Sequence, residues 1–317
     1  MGGIICTVFE GNYHYGVAAL ANSLYFNGFK GDFYVGYRGN LPAWVTSKWA
    51  QTTEFDWEGN AHTLNVKEDF RLIFLEVNQQ RHLAHYKPAF MLSLMKDIAP
   101  LSTSIAYFDP DIVIKCRWRF YEEWMEFGVA LVHEIVSQDM PVNHPTRMQW
   151  QRVIMECGKE VTKNISAYIN CGFCGVSREN IEFLELWDYY ITKAITTYKQ
   201  DEKIFATFDR TSAFWSIDQD TFNMVAMSCN CPISEMGPEA MDFINAGWTM
   251  SHAVGSPKPW KNFFLRSMLS GFSPTLSEKQ YWNYANKGIR SHSDFELKRK
   301  KYSIIIASFI SRFYTRK

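Results

Sequence analysis

A chain of 317 residues exceeds the roughly 100–200 residues of a usual domain, but α/β enzymes commonly run longer around one core. Its 47% apolar and 16% aromatic residues suffice for such a core and exclude disorder over most of the length. With 33 basic against 33 acidic residues, there is no whole-molecule field to draw it to nucleic acid.

The run Ile4–Phe9 reads as a short β-rich strand, followed by a loop to Gly16 and a helix over Val17–Phe26. Asp32–Gly36 is a second strand, so the chain opens as the βαβ start of a mostly parallel sheet. The start lacks the basic n-region and cleavage site of a signal peptide, which implies a cytosolic chain with free thiols. Apolar residues at 89, 90, 92, 94, 95, 98 and 99 predict a helix over Lys87–Ala99, stopped by Pro100. Ser104–Phe108 is a buried strand that delivers Asp109 to its carboxyl end, where open α/β sheets bind ligands.

Val129–Val136 reads as another strand, and residues 137–165 as a polar, partly helical insertion. Tyr168–Val176 returns to strand character, and Asn180 caps a helix running to Tyr198. Trp44, Trp49 and Trp57 admit a sugar-stacking face or, more commonly in so aromatic a chain, core packing. Seven of the basic residues fall in the last twenty positions. There Tyr302–Tyr314 is too short an apolar run for the roughly twenty residues that span a bilayer. The tail, residues 296–317, suits a basic amphipathic helix lying on an anionic membrane, with docking onto the core as the alternative.

Two fragments carry chemistry. In Phe108-Asp109-Pro110-Asp111 the two carboxylates are two residues apart and face alike after a strand, and hard oxygens suit Mn²⁺ or Mg²⁺. In His252-Ala253-Val254-Gly255-Ser256-Pro257-Lys258-Pro259-Trp260 an imidazole precedes a glycine and a lysine, the residues needed for close backbone approach and charge neutralisation at a diphosphate. The first fragment also resembles the nucleophile motif of haloacid-dehalogenase-type phosphatases, with Asp109 as nucleophile and Asp111 as general acid/base, but no paired acidic motif follows downstream. Cys171/Cys174 and Cys229/Cys231 admit a four-thiolate zinc site, although the second pair is one residue short of the usual spacing.

Together, Asp-x-Asp and His-x-x-Gly-x-x-Lys-Pro-Trp resemble glycosyltransferase family 8, retaining enzymes of GT-A fold. Asn170-Cys171-Gly172 and Asp218-Gln219-Asp220-Thr221-Phe222-Asn223 match two further motifs in order. The resemblance implies an α/β, Rossmann-like, mostly parallel sheet flanked by helices, with a catalytic domain over residues 1–265 and a helical region over 266–317. It implies Mn²⁺ (or Mg²⁺) on Asp109, Asp111 and His252, and the diphosphate of a UDP-sugar on Gly255 and Lys258. By the same resemblance, Asn170 and Asp218 would contact the donor sugar, and Gln219 would lie near its anomeric carbon. The loop Thr7–Tyr15 would seat the uridine, with Tyr13 or Tyr15 as stacking partner, and Lys87 is the candidate for the family's basic residue at the start of the helix before Asp-x-Asp. The expected function is Mn²⁺-dependent, retaining transfer of glucose or galactose from a UDP-sugar to a saccharide or lipid-linked acceptor in surface polysaccharide or lipopolysaccharide synthesis. The expected location is the cytoplasmic face of the membrane, with residues 137–165 as the acceptor loop. A nucleotide-sugar-binding protein without catalysis is the further alternative.

Overall fold

The computed structural model describes residues 2–46, 49–135, 140–244 and 246–313. In chain order, β1 (Ile4–Glu10), α1 (His14–Phe26) and β2 (Gly31–Arg38) form the expected βαβ unit. Next come α2 (Ala43–Thr46), β3 (Ala50–Gln51), β4 (Ala61–Lys67) and β5 (Phe70–Glu76). Helix α3 (Lys87–Ser93) widens into a π turn over Leu94–Ile98. It leads to β6 (Ser104–Phe108), β7 (Ile112–Ile114), α4 (Trp118–Glu126) and β8 (Val129–His133). Then follow α5 (Pro145–Glu156), β9 (Ile169–Ser177), α6 (Glu182–Thr196) and α7 (Ile217–Ser228). The chain closes with β10 (Ile233–Met236), β11 (Met250–His252), α8 (Phe264–Leu269), α9 (Leu276–Tyr284) and α10 (Asp294–Ile310).

Among the described residues, nine strands form one sheet in the order β10-β8-β9-β6-β1-β2-β5-β4-β3. β6, β1, β2 and β5 are mutually parallel, β9 runs antiparallel between β6 and β8, and β10 is parallel to β8. Successive side chains of β1 alternate between two cores. Ile4, Cys6 and Val8 pack with α3, α5, α6 and α7, whereas Ile5 and Phe9 pack with α1 and α4. Burial on both faces is why these strands read as near-continuous apolar runs. A third cluster joins Ala19 of α1, Val113 of β7 and Trp260 to α8, α9 and α10, so the C-terminal helices share a core with the first part of the chain.

One expectation, the Asn180 cap, is corrected, and the alternatives left open for the tryptophans and the cysteines fall to core packing and free thiols. Asn180 is not a cap: it ends a 3₁₀ turn before α6 and donates to Ser177 Oγ. Trp44, Trp49 and Trp57 pack against the cores, with Trp44 Nε1 donating to His14 Nδ1 and Trp57 Nε1 to the Glu76 carbonyl. The cysteine pairs form no zinc site; the single metal-competent group among the described residues lies elsewhere. Residues 140–165 are partly helical through α5, with Trp150, Val153, Ile154 and Ile165 buried; residues 137–139 lie outside the described ones, as do Val136 and 314–317.

The tail helix α10 docks on the third cluster through Ile304 and Ala307, while Tyr302, Ile305, Phe309 and Phe313 stay exposed. Core docking, the alternative reading of the tail, thus holds for one side of this helix.

Candidate active site

β6 ends at Phe108, and Asp109 turns the chain: its amide donates to the Gly172 carbonyl (2.6 Å) and its carbonyl accepts from Ile112 N (3.0 Å). β7 then pairs antiparallel with β11, setting His252 opposite Ile112, and the Ala253 amide closes on the Asp111 carbonyl (3.0 Å). This two-stranded ladder brings residues about 140 positions apart into one site. Ligand atoms of Asp109, Asp111 and His252 lie within 4.8 Å of one another. His252 Nε2 is 3.2 Å from Asp111 Oδ1 and 3.8 Å from Asp109 Oδ2.

Gly172 on β9 makes this gathering possible. A Cβ there would lie 2.5 Å from His252 Cε1 and 2.9 Å from Asp109 Oδ2, closer than packed atoms tolerate.

Lys258 Nζ donates to Asp111 Oδ2 (2.5 Å) and to the Ala253 carbonyl (2.9 Å). Burial alone would raise the Asp111 pKa, but His252 and Lys258 outweigh it and hold the carboxyl below its usual range. Burial opposes the charge on Lys258 too, and Asp111 reverses this, so its pKa is raised. Gly255 has φ +82°, in the left-handed region that glycine adopts without strain.

A second charged knot adjoins the first. Lys87, at the start of α3, contacts Asp109 Oδ1 (3.0 Å) and Asp218 Oδ2 (3.3 Å) and donates to the Cys171 carbonyl (3.3 Å). Burial works against its ammonium, yet Asp109, Cys171, Tyr107 and Asp218 raise its pKa well above the ordinary value. Asp218, from the first turn of α7, also accepts from Cys171 Sγ (3.1 Å) and Ser216 Oγ (3.0 Å). Burial raises its pKa, but Lys87 and His85 more than offset this and lower it.

Asn223 locks α7 to β9 by exchanging bonds with the backbone of Ile169 (2.8 and 2.9 Å). The next turn of α7 therefore sets Gln219 Oε1 against the Cys171 amide (3.3 Å) and Asn170 Nδ2 (3.4 Å). Tyr13 stands 5.6 Å edge-on to Trp260, with Lys258 Nζ 5.8 Å from its ring. Tyr15 instead stacks on His292 at 4.6 Å. Thr7 Oγ1, buried on β1, has no hydrogen-bond partner among the described residues, and neither has His252 Nδ1.

Of the expected residues, Asp109, Asp111, His252 and Lys258 meet in one group beside Tyr13, Lys87 joins that group to Asp218, Gln219 and Asn170, and Tyr15 turns to His292 instead. The sequence reading missed Glu134, which follows β8 as Asp109 follows β6 and accepts from Asn170 Nδ2 (2.5 Å). A polar residue directly after an apolar strand was the available signal. Cys171 and His85 were missed as members of the Asp218 environment; both are contacts across long sequence separations.

A largely parallel sheet with reversed β9, and the β7/β11 ladder carrying Asp109, Asp111 and His252, define a GT-A fold. No family profile and no curated protein sequence matches the chain. Solved glycosyltransferase structures do match in fold. The galactosyltransferase LgtC, in complex with donor and acceptor sugar analogues, superposes at TM-score 0.51 and 13% identity over 94% of this chain and 99% of its own. GlyE from Streptococcus pneumoniae TIGR4 gives 0.51 and 11% over 95% of this chain, and the bifunctional glycosyltransferase WbbM gives 0.52 and 12% over 93%. The chain spans 64% of GlyE and 51% of WbbM. The fold implied by the sequence resemblance is the fold observed.

Proposed function

We propose that the chain is a retaining glycosyltransferase that moves glucose or galactose from a UDP-sugar to a saccharide or lipid-linked acceptor in surface polysaccharide or lipopolysaccharide synthesis. The observation that carries this reading is the convergence of Asp109, Asp111 and His252 with Lys258 on Asp111 at the ligand-binding edge of a GT-A sheet. Two carboxylates and an imidazole fit Mn²⁺ or Mg²⁺. Bound there, the ion supplies Lewis-acid stabilisation of charge on a departing diphosphate.

The protein's own groups do the rest. Lys258 neutralises diphosphate charge, and Gly255 lets backbone approach it. Tyr13, Tyr15 and Thr7 flank the uridine, and Thr7 Oγ1 brings an unspent hydroxyl. Asn170 and Asp218 hold the donor sugar, with Lys87 fixing Asp218 and Gln219 beside the anomeric carbon. Asp218 already accepts from Lys87, Cys171 and Ser216, so it is poorly free to act as a nucleophile. That favours a front-face route, in which the leaving phosphate takes the acceptor proton, over double displacement. Trapping a glycosyl-enzyme with labelled donor would overturn this preference.

The acceptor side falls to residues 137–165, and the membrane side to the exposed face of α10. Among the described residues no helix is long and apolar enough to cross a membrane, and attachment at the cytoplasmic face through α10 belongs to the same proposal. A phosphatase would pair Asp109 and Asp111 with further acidic metal ligands, whereas His252 completes the group here.

The test is UDP release from UDP-glucose, UDP-galactose and their N-acetyl forms with and without Mn²⁺, for the natural chain and Asp111→Asn. Metal-dependent release from one donor, abolished by the substitution, supports the reading; no release from any donor refutes it.

A further inference from the structure

We propose that Lys300, on the C-terminal helix α10 and outside the site itself, is a positioning residue for the donor-diphosphate loop. The inference rests on the reading that Lys258 meets a diphosphate.

Lys300 is 5% exposed. Its Nζ donates to the backbone carbonyls of Asn262 (2.6 Å) and Trp260 (3.4 Å). The rings of Phe263, Phe264 and Trp282 stand 5.4–5.7 Å from it, within cation–π range. An ammonium is costly to bury unless it is paired, and here its hydrogen-bond partners are two carbonyls of one loop.

That loop carries Lys258. The Lys258 carbonyl accepts from the amides of Lys261 (2.8 Å) and Asn262 (3.0 Å), and the Pro259 carbonyl accepts from Trp282 Nε1 (3.3 Å). One backbone turn therefore links Lys300, through Asn262, to Lys258. The Asn262 side chain is held as well, by Glu278 Oε1 and by Ser267 Oγ (2.7 Å). The C-terminal helices thus fix the loop at Pro259, Trp260 and Asn262, leaving Lys258 Nζ to face Asp111. None of these bonds touches Asp109, Asp111 or His252 directly, so the brace reaches the three metal-competent side chains only through Lys258 on Asp111.

The experiment measures UDP binding in Mn²⁺, and Mn²⁺ binding alone, by calorimetry on the full chain and on Lys300→Met, Lys300→Arg and Ile304→Ala. Ile304 is buried on the same helix, in the cluster that also holds Trp260, and its side chain has no polar atom with which to hydrogen-bond the loop. Losing a charged hydrogen bond typically costs enough to raise the UDP dissociation constant about tenfold in Lys300→Met, with Mn²⁺ affinity not weakened, because the lysine that shifts is a competitor of the ion for Asp111. Lys300→Arg recovers most of the loss, and Ile304→Ala lowers the melting temperature without changing UDP affinity. If Lys300→Met does not fold, Lys300→Gln takes its place. Equal UDP affinity in Lys300→Met and the natural chain, or an equal loss in Ile304→Ala, overturns the proposal and leaves Lys300 a stabilising residue only. Absence of UDP binding by the natural chain overturns the donor reading and this proposal with it, and that arm alone reveals which has failed.

Discussion

Lys87 and Asp218 lie 131 positions apart in sequence and meet at 3.3 Å with side chains 5% and 1% exposed. The pair joins the start of α3 to the start of α7, and through Asp109 it ties the metal-competent group to the residues around Gln219. Removing the lysine leaves the buried Asp218 carboxylate without its cation, which typically costs about 3–5 kcal/mol, and takes the same cation from the part-exposed Asp109. We expect Lys87→Met to lower the thermal midpoint sharply, and a second change, Asp218→Asn, to recover part of it. A midpoint equal to that of the natural chain would show that the lysine does not hold this charge balance.

Gly172 offers a smaller perturbation. The Cβ of Gly172→Ala would meet His252 Cε1 at 2.5 Å and Asn170 Oδ1 at 2.7 Å, so the imidazole must retreat from the two carboxylates. Changing a residue that orients the metal ligands without itself binding the ion commonly costs about 10–100-fold in metal affinity. We expect Mn²⁺ affinity, followed by titration, to fall by about that much while the far-ultraviolet circular dichroism stays native. Undiminished Mn²⁺ binding would remove His252 from the ligand set.

Much of this site was legible because its signals are local. Ile4–Phe9 and Ser104–Phe108 read as strands because both faces are covered, and Asp109, Asp111, His252 and Lys258 are spaced within two short segments. What sequence hid depends on long-range contact. Glu134 was absorbed into a strand assignment that ran past His133, and its partner Asn170 is 36 positions away. Residues 137–165 read as a polar, partly helical insertion, and which of their side chains are buried, Trp150, Val153 and Ile154 among them, shows only in the spacing of a helix stripe. Asn180 had the chemistry of a cap, but a 3₁₀ turn precedes the helix and moves the cap position to Ile181.

Asp220 gives a pH signature. It is buried and accepts from Tyr168 OH (2.8 Å) and the Ser216 amide (2.7 Å), but burial dominates and lifts its pKa from 3.8 to about 7. A carboxyl raised in the folded state imposes no penalty below its unfolded pKa; stability then falls as pH climbs through the window from about 4 to about 7. His14 runs oppositely: burial and His292 depress it to about 4, so its stability contribution is lost as pH falls from about 6.5 to 4. Comparing Asp220→Asn with the natural chain isolates the first effect. The difference in melting temperature between the two should change progressively in favour of the variant from pH 4 to 7 and level off above. A difference independent of pH would mean that Asp220 stays ionised in the fold.

The two faces of α10 predict opposite outcomes for like substitutions. Lys300, Ile304 and Ala307 are buried, whereas Tyr302, Ile305, Ile306, Phe309 and Phe313 are exposed, with Lys298, Arg299 and Lys301 exposed on the same helix. Apolar residues beside lysine and arginine suit the boundary of an anionic bilayer, where each nearby cation adds about 1 kcal/mol. We expect the pair Ile305→Asp and Phe309→Asp to abolish flotation with phosphatidylglycerol-containing vesicles while leaving the melting temperature unchanged. Ile304→Asp, one position from Ile305, should unfold the C-terminal helices instead, because its carboxylate enters the cluster of Trp282 and Ala307. High salt should weaken vesicle binding by screening the exposed cations. Vesicle binding that survives the paired aspartates would assign the exposed face some other role and leave the membrane reading without support.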